Sequence, residues 1–123
     1  MSKILVIEDD QTLREDLLEA LQLEGFEGYG ASNGQDGLQL AQEKKPQLII
    51  CDINMPMING FGVIVALHKH EETANIPLIF LSARKEKETI DRALELGAVA
   101  YITKPYIWKD LLTIIRSHII NID

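Results

Sequence analysis

Charged residues stand at the ends of three apolar runs in this chain. Glu8 and Asp9 follow the first run, Asp52 follows the second and Lys104 follows the third. Runs of this kind, rich in Ile, Leu and Val, are typical of strands buried on both faces. Strands that alternate with helices lie parallel, so their carboxyl ends share one sheet edge, where open α/β folds place their sites. The sequence therefore predicts three carboxylates and one ammonium group at one place.

A cation is expected among these carboxylates. Carboxylates that share a site repel one another, and a bound cation offsets that repulsion. Mg²⁺ is the usual cation for hard oxygen ligands that leave some of its waters in place. The grouping of Glu8, Asp9 and Asp52 therefore predicts a Mg²⁺ site.

Length and composition indicate one soluble domain. A chain of 123 residues, 46% hydrophobic and 25% charged, buries about two thirds of its unfolded surface. The net charge of -7 argues against nucleic acid or an anionic membrane as a direct partner. No long apolar stretch and no basic leader is found, which predicts a cytoplasmic protein. The single cysteine, Cys51, is expected to be a small buried hydrophobe rather than a redox group.

Apolar periodicity and stop signals predict five strands alternating with five helices. Gly25 and Gly97 end two of the helices, Asp10 is expected to cap the first, and Ser32 or Asn33 the second. The predicted strands are 3–8, 27–31, 47–52, 76–81 and 100–103. The predicted helices are 11–24, 34–44, 61–71, 86–96 and 108–120.

This alternation predicts a doubly wound parallel sheet, an α/β three-layer sandwich of the flavodoxin-like (βα)5 type. Each helix is a right-handed crossover, and with five strands the natural order is 2-1-3-4-5. That order puts the ends of strands one and three side by side at the switch point. Glu8, Asp9 and Asp52 then meet within a single domain, which we expect to occupy residues 1–123.

Four short motifs together resemble the receiver domain of two-component response regulators, in the order and spacing of that family. The resemblance spans the whole chain, and four motifs in register on one sheet edge are far more specific than any one alone. They are Val6-Ile7-Glu8-Asp9-Asp10, Cys51-Asp52-Ile53-Asn54-Met55-Pro56, Leu81-Ser82-Ala83 and Thr103-Lys104-Pro105.

The resemblance implies a role for each residue of the acidic site. Asp52 would be the phosphoryl acceptor and also a ligand of Mg²⁺. Asp9 would bind Mg²⁺ directly, Asn54 would add its backbone carbonyl, and Glu8 would hold waters of the metal. A carboxylate nucleophile beside a cation has the chemistry that phosphoryl transfer requires.

The same resemblance implies a switch. Lys104 would pair with Asp52 at rest and with the phosphoryl group afterwards, while Ser82 would hydrogen-bond a phosphoryl oxygen. Tyr101 would follow Ser82 when the domain changes state. The bond before Pro105 would be cis, aiming the lysine into the site.

The function implied is that of a phosphorelay signalling domain rather than an ordinary enzyme. A sensor histidine kinase or a His phosphotransfer protein would donate the phosphoryl group to Asp52, and the domain would catalyse its own phosphorylation and slow dephosphorylation. The surface of helix four, strand five and helix five would then control an output partner or effector domain. Whether the chain acts alone or belongs to a longer protein stays open.

Departures from the family pattern concern that output surface. Val99 and Ala100 replace an acidic pair common in winged-helix regulators, and Ile114 replaces a basic residue. We expect Ile107 and Ile114 to face outward, so a homodimer formed on phosphorylation would have a more apolar contact. The core stripe of the last helix is predicted to be Trp108, Leu111, Leu112, Ile115 and Ile119.

Three other functions were weighed against this one. A Mg²⁺-dependent phosphatase with a nucleophilic aspartate commonly has a second acid two residues later, where this chain has Asn54. A flavodoxin-like nucleotide binder needs a phosphate-cradling loop where Glu8 and Asp9 stand. A receiver-like binding module without phosphorylation would have an incomplete acidic pocket, and here the pocket is complete.

Overall fold

The chain alternates strand and helix five times in the computed structural model, which describes residues 2–119. The strands are β1 (Lys3–Ile7), β2 (Glu27–Ala31), β3 (Leu48–Cys51), β4 (Leu78–Ser82) and β5 (Ala100–Thr103). The helices are α1 (Gln11–Leu23), α2 (Gly34–Lys44), α3 (Gly60–His68), α4 (Lys87–Glu95) and α5 (Trp108–Ser117).

The five strands form one parallel sheet in the order β2-β1-β3-β4-β5, as predicted. In its register Ile7 lies beside Cys51, and Ser82 lies beside Thr103. The residues that follow β1, β3 and β5 therefore leave the sheet at the same edge.

Helices cover both faces of the sheet, which makes the molecule a three-layer sandwich. Alternate residues of each central strand feed two separate hydrophobic clusters, as expected for strands buried on both sides. One cluster joins the sheet to α1 and α5 through Leu17, Leu21, Leu111 and Ile115. The other joins it to α2, α3 and α4 through residues that include Ala41, Ile64 and Ala93.

Side-chain caps begin the first three helices. Asp10 accepts the N–H of Leu13 at 3.1 Å, as predicted for α1. Asn33, one of the two residues predicted for this role, caps α2. Asn59 caps α3 by accepting the N–H of Gly62 at 3.1 Å, a role that the sequence analysis did not assign.

Three predicted boundaries are wrong by two or three residues, one of them the end of α5 at Ser117, before the predicted 120. α3 ends at His68, before the predicted 71, because the Thr73 hydroxyl donates to the carbonyl of Leu67 at 2.7 Å and closes the last turn. β4 begins at Leu78, after the predicted 76, because Pro77 has no N–H to give to a strand ladder.

The last helix corrects one expectation about exposure. Ile107 is 67% exposed, but Ile114 is half-buried and packs against the cluster beneath α1 and α5. The expectation that Ile114 faces outward is therefore wrong. Helix α5 ends at Ser117, and residue 120 of the predicted helix lies outside the described residues.

None of the helices within residues 2–119 is long and apolar enough to cross a membrane.

Candidate functional site: an acidic pocket at the carboxyl edge of the sheet

Three carboxylates meet where β1 and β3 end. Oxygens of Glu8, Asp9 and Asp52 all lie within 4.8 Å of one another, a grouping that can hold a metal ion. Glu8 and Asp52 are buried, whereas Asp9 is exposed. The strand register brings about this convergence, because Ile7 and Cys51 are neighbours and the acids come directly after them.

Lys104 reaches the same pocket from the end of β5. Its ammonium nitrogen lies 2.6 Å from Oε1 of Glu8 and 3.6 Å from Oδ2 of Asp52. The nearer partner is thus Glu8, whereas the family resemblance implied Asp52 alone. The Lys104–Pro105 peptide bond is cis.

Burial and charge shift the pKa values of this pair. Burial raises the pKa of Glu8, although the hydrogen bond from Lys104 acts in the opposite direction. Burial acts to lower the pKa of Lys104, but the hydrogen bond to Glu8 and the charge of Asp52 outweigh it and raise that pKa. Lys104 therefore stays cationic beside the acids over the physiological range.

The loop after β3 fixes the carboxylate of Asp52. The N–H of Ile53 donates to Oδ1 of Asp52 at 2.7 Å, which leaves Oδ2 facing Lys104. Gly60 closes the loop: its N–H donates to the carbonyl of Ile53 at 2.8 Å. Asn54, between these two in the sequence, is exposed.

The side chains of Ser82 and Tyr101 both hydrogen-bond the backbone of Arg84, which the sequence did not predict. The N–H of Arg84 donates to Oγ of Ser82 at 3.2 Å, and the hydroxyl of Tyr101 donates to the carbonyl of Arg84 at 2.7 Å. Ser82 is fully buried, and among residues 2–119 no hydrogen bond joins it to Asp52. The two side chains are therefore coupled through the backbone of Arg84.

Arg14 is another residue at this edge that motif-based reasoning missed. Its Nη1 donates to the main-chain carbonyl of Glu8 at 2.7 Å. A signal for it does exist in the sequence, since an arginine in the first turn of a helix lies within reach of the preceding loop.

An apolar cleft of about 400 Å³ opens beside Asp52 and Lys104. Its walls come from α1 on one side and from the segment after β5 on the other, including Leu13, Pro105 and Tyr106. The carboxylate of Asp52 is therefore reached along a largely apolar surface.

Sequence comparison finds relatives among regulatory proteins. Residues 4–116 match the family described as the response regulator receiver domain. The chain is 35% identical over 115 residues to the probable transcriptional regulator ycf29 of Pyropia yezoensis, which covers 94% of this chain and 52% of that protein. It is 36% identical over 115 residues to the transcriptional regulatory protein PdtaR of Mycobacterium tuberculosis, covering 93% of this chain and 55% of the other. The chain thus spans about half the length of the curated relatives it matches.

Structural comparison gives the same assignment. The chemotaxis protein CheY4 of Vibrio cholerae superimposes with a TM-score of 0.91 at 27% identity, covering 97% of this chain and 99% of that one. The non-phosphorylated HemR receiver domain of Leptospira biflexa has a TM-score of 0.88 at 28% identity, covering 100% of this chain and 98% of the other. With its fold, its acidic pocket and its matched sequence, this chain belongs to the response regulator receiver domain family.

Proposed function

We propose that the domain receives a phosphoryl group on Asp52 from a sensor histidine kinase or a His phosphotransfer protein, in a Mg²⁺-dependent reaction. The observation that carries the proposal is the meeting of Glu8, Asp9 and Asp52 within 4.8 Å, with Lys104 on one side. A nucleophilic carboxylate next to a cation site is the arrangement that phosphoryl transfer uses.

The donor set fits Mg²⁺. All of the grouped ligand atoms are carboxylate oxygens, which Mg²⁺ prefers, and the exposed side of the pocket at Asp9 leaves room for bound waters. Asp9 and Asp52 would hold the ion directly, Asn54 would add its backbone carbonyl, and Glu8 would act through a water. When bound, the ion would supply positive charge that stabilises the oxygens of the transferring phosphoryl group.

The chain's own residues would carry the transfer. An oxygen of Asp52 attacks the phosphorus of a phosphohistidine, and the phosphorus–nitrogen bond breaks with its electron pair left on the imidazole. An acyl phosphate then stands on Asp52. Lys104, already 3.6 Å from Oδ2 of Asp52, is placed to pair with the added charge.

The response would pass through Ser82 and Tyr101. Ser82 now accepts from the backbone of Arg84, so turning its hydroxyl toward a phosphoryl oxygen would release that N–H. Tyr101 holds the carbonyl of the same residue, so the loop and the tyrosine would rearrange together. The surface of α4, β5 and α5 would change as a result.

This surface would control the output, through an effector domain, a separate partner or a homodimer formed on phosphorylation. Leu94 and Val99 are 48% and 38% exposed there, which favours an apolar contact. We propose that residues 1–123 act as one receiver domain in this way. We propose both that a kinase supplies the phosphoryl group and that an output partner, or an activity in a longer protein, responds to it.

Labelling with acetyl phosphate or phosphoramidate tests the acceptor. In the presence of Mg²⁺ we expect one phosphorylated residue, located at Asp52 by mass spectrometry. The Asp52→Asn variant and the wild-type protein in excess EDTA should both remain unlabelled. Efficient labelling in either case would refute the assignment of the acceptor or of the metal, respectively.

A further inference from the structure

A cationic side chain contacts the backbone of the acidic pocket rather than its carboxylates. Nη1 of Arg14 donates to the carbonyl oxygen of Glu8 at 2.7 Å, and the side chain is half-buried. A hydrogen bond from a charged donor is shorter and stronger than one between neutral groups. The contact therefore holds this carbonyl firmly.

The stem of Arg14 passes beside a glycine in β2. A Cβ added at Gly30 would lie 2.8 Å from Cδ1 of Leu18, 3.3 Å from Cδ of Arg14 and 3.5 Å from its Cγ, so both side chains pack over this position. The backbone of Arg14 is fixed within α1, since its N–H donates to the carbonyl of Asp10 at 2.9 Å. Its guanidinium is fixed at the far end of the side chain by the carbonyl of Glu8.

The peptide unit that Arg14 contacts also carries the amide of Asp9. The N–H of Glu8 donates to the carbonyl of Ala31 at 3.0 Å, and its carbonyl accepts from Arg14, so both main-chain groups of Glu8 are fixed. The peptide plane between Glu8 and Asp9 is rigid. Its orientation consequently determines the direction in which the side chain of Asp9 leaves the backbone.

The carboxylate of Asp9 has little else to hold it. It is exposed, and among residues 2–119 it takes part in no side-chain hydrogen bond or ion pair. Glu8 and Asp52, in contrast, are buried and paired with Lys104. Of the three grouped acids, Asp9 is the one whose position depends on its backbone.

We propose that Arg14 is a positioning residue, which fixes the Glu8–Asp9 peptide so that the carboxylate of Asp9 points into the Mg²⁺ site. This inference rests on the proposed Mg²⁺ site.

The proposal and simple electrostatics predict opposite effects of removing Arg14 on the affinity for Mg²⁺. A nearby positive charge repels Mg²⁺, so removing it would tighten binding if charge were its only effect. Loss of a positioning contact weakens metal binding instead, typically 10-fold to 100-fold.

Calorimetric titration of the phosphoryl-free protein with Mg²⁺ alone tests the proposal. Arg14→Met keeps an apolar stem over Gly30 and removes both the charge and the donor. We expect its Kd for Mg²⁺ to rise about tenfold. As a matched control, Lys85→Met removes a cation from the exposed β4–α4 loop, and its Kd should stay the same or fall. An unchanged or lower Kd in Arg14→Met would overturn the proposal.

Two further measurements keep the outcome clear. Urea unfolding establishes that Arg14→Met is folded under the titration conditions. If it is not, Arg14→Ala, which also removes the charge and the donor and favours the helix, takes its place, and an unchanged Kd in that variant overturns the proposal equally. Amide shifts of Asp9 and Asp10 in the metal-free protein should move in the variant. If the wild-type protein itself binds no Mg²⁺, the proposed metal site fails, which is a different result from a variant that binds as the wild type does.

Discussion

Lys104 lies closer to Glu8 than to Asp52, with its nitrogen 2.6 Å from Oε1 of Glu8 and 3.6 Å from Oδ2 of Asp52. One cation is therefore shared by two acids of the pocket, and its hydrogen bond goes to the acid that is not the proposed acceptor. Charge added at Asp52 would shift this balance, because the nitrogen can move between its two partners without leaving the pocket. The position of the lysine would thus depend on whether Asp52 is phosphorylated.

Replacement of Lys104 should separate phosphorylation from response. Lys104→Ala should still take up phosphate from acetyl phosphate, since neither the acceptor nor the proposed metal ligands are altered. The amide shifts of residues 82–104 should then change little on phosphorylation, because the group that changes partner is gone. Lys109→Ala, at an exposed position of α5, is the matched control. A response in Lys104→Ala equal to that of the wild type would contradict the role.

Replacement of Glu8 should change the pH dependence of stability. Burial raises the pKa of Glu8 above its ordinary value of 4.5, so the folded state binds a proton that the unfolded state has already released. Stability is therefore lost as pH rises from 4.5 through the raised pKa. The glutamine of Glu8→Gln cannot titrate. As pH rises through this range, the free energy of unfolding of the variant should therefore increase relative to that of the wild type.

Urea unfolding in EDTA, at intervals between about pH 4 and pH 8, measures this difference. Glu19→Gln, an exposed position on α1, is the control and should show no such trend. A difference between Glu8→Gln and the wild type that does not vary with pH would show that burial of this carboxylate does not affect its titration.

The sequence predicted the pocket better than the contacts around it. Glu8, Asp52 and Lys104 could be placed together because strand ends in a parallel sheet share an edge, a consequence of topology alone. The preference of Lys104 for Glu8 depends on side-chain lengths and on strand separation, which no motif encodes. The contact between Arg14 and the carbonyl of Glu8 brings the arginine stem past Gly30, a relation between two elements that only the packed structure reveals.

Helix boundaries and exposure also divide into features that local sequence predicts and features that depend on packing. The start of α2 was predictable from Asn33, whose side chain can cap locally. The end of α3 was not, because Thr73 closes it from outside the helix. The burial of Ile114 also escaped prediction, since helical periodicity gives the spacing of a stripe but not how wide a face the sheet and α1 cover.

Gly60 should not tolerate even one added methyl group. A Cβ there would lie 2.5 Å from the carbonyl oxygen of Asp52 and 2.8 Å from Cα of Ile53, both of them backbone atoms. We expect Gly60→Ala to lower the free energy of unfolding by about 1–3 kcal/mol or more, through overpacking. The Cβ of Gly62→Ala, in the same helix turn, would meet two side-chain atoms, a γ-methyl group of Ile58 at 3.0 Å and Oδ1 of Asn59 at 3.9 Å. This substitution should cost far less, because alanine favours the helix. Equal losses in the two variants, measured by urea unfolding, would contradict this explanation.

Self-association of the activated domain should depend on Leu94 and Val99. Lysine at either position should weaken association of the beryllofluoride-treated protein about tenfold, equivalent to about 1.4 kcal/mol. Sedimentation with and without beryllofluoride, at low and high salt, measures this. Leu23→Lys, at an 80% exposed position on α1, is the control. Ile114 is unsuitable for this test because it packs against the core. Association that persists unchanged in the Leu94 and Val99 variants would place the interface elsewhere.

The buried thiol of Cys51 makes the natural sequence convenient for site-specific spectroscopy. It is the single cysteine of the chain, it lies in β3 with no exposed surface, and burial raises its pKa well above the usual range for a thiol. Thiolates rather than thiols react with maleimides and iodoacetamides, so the folded protein should resist both. A cysteine introduced on the exposed side of α4 would then be the one group that takes up a fluorophore or spin label. Movements of that helix could be followed without first replacing a residue next to Asp52.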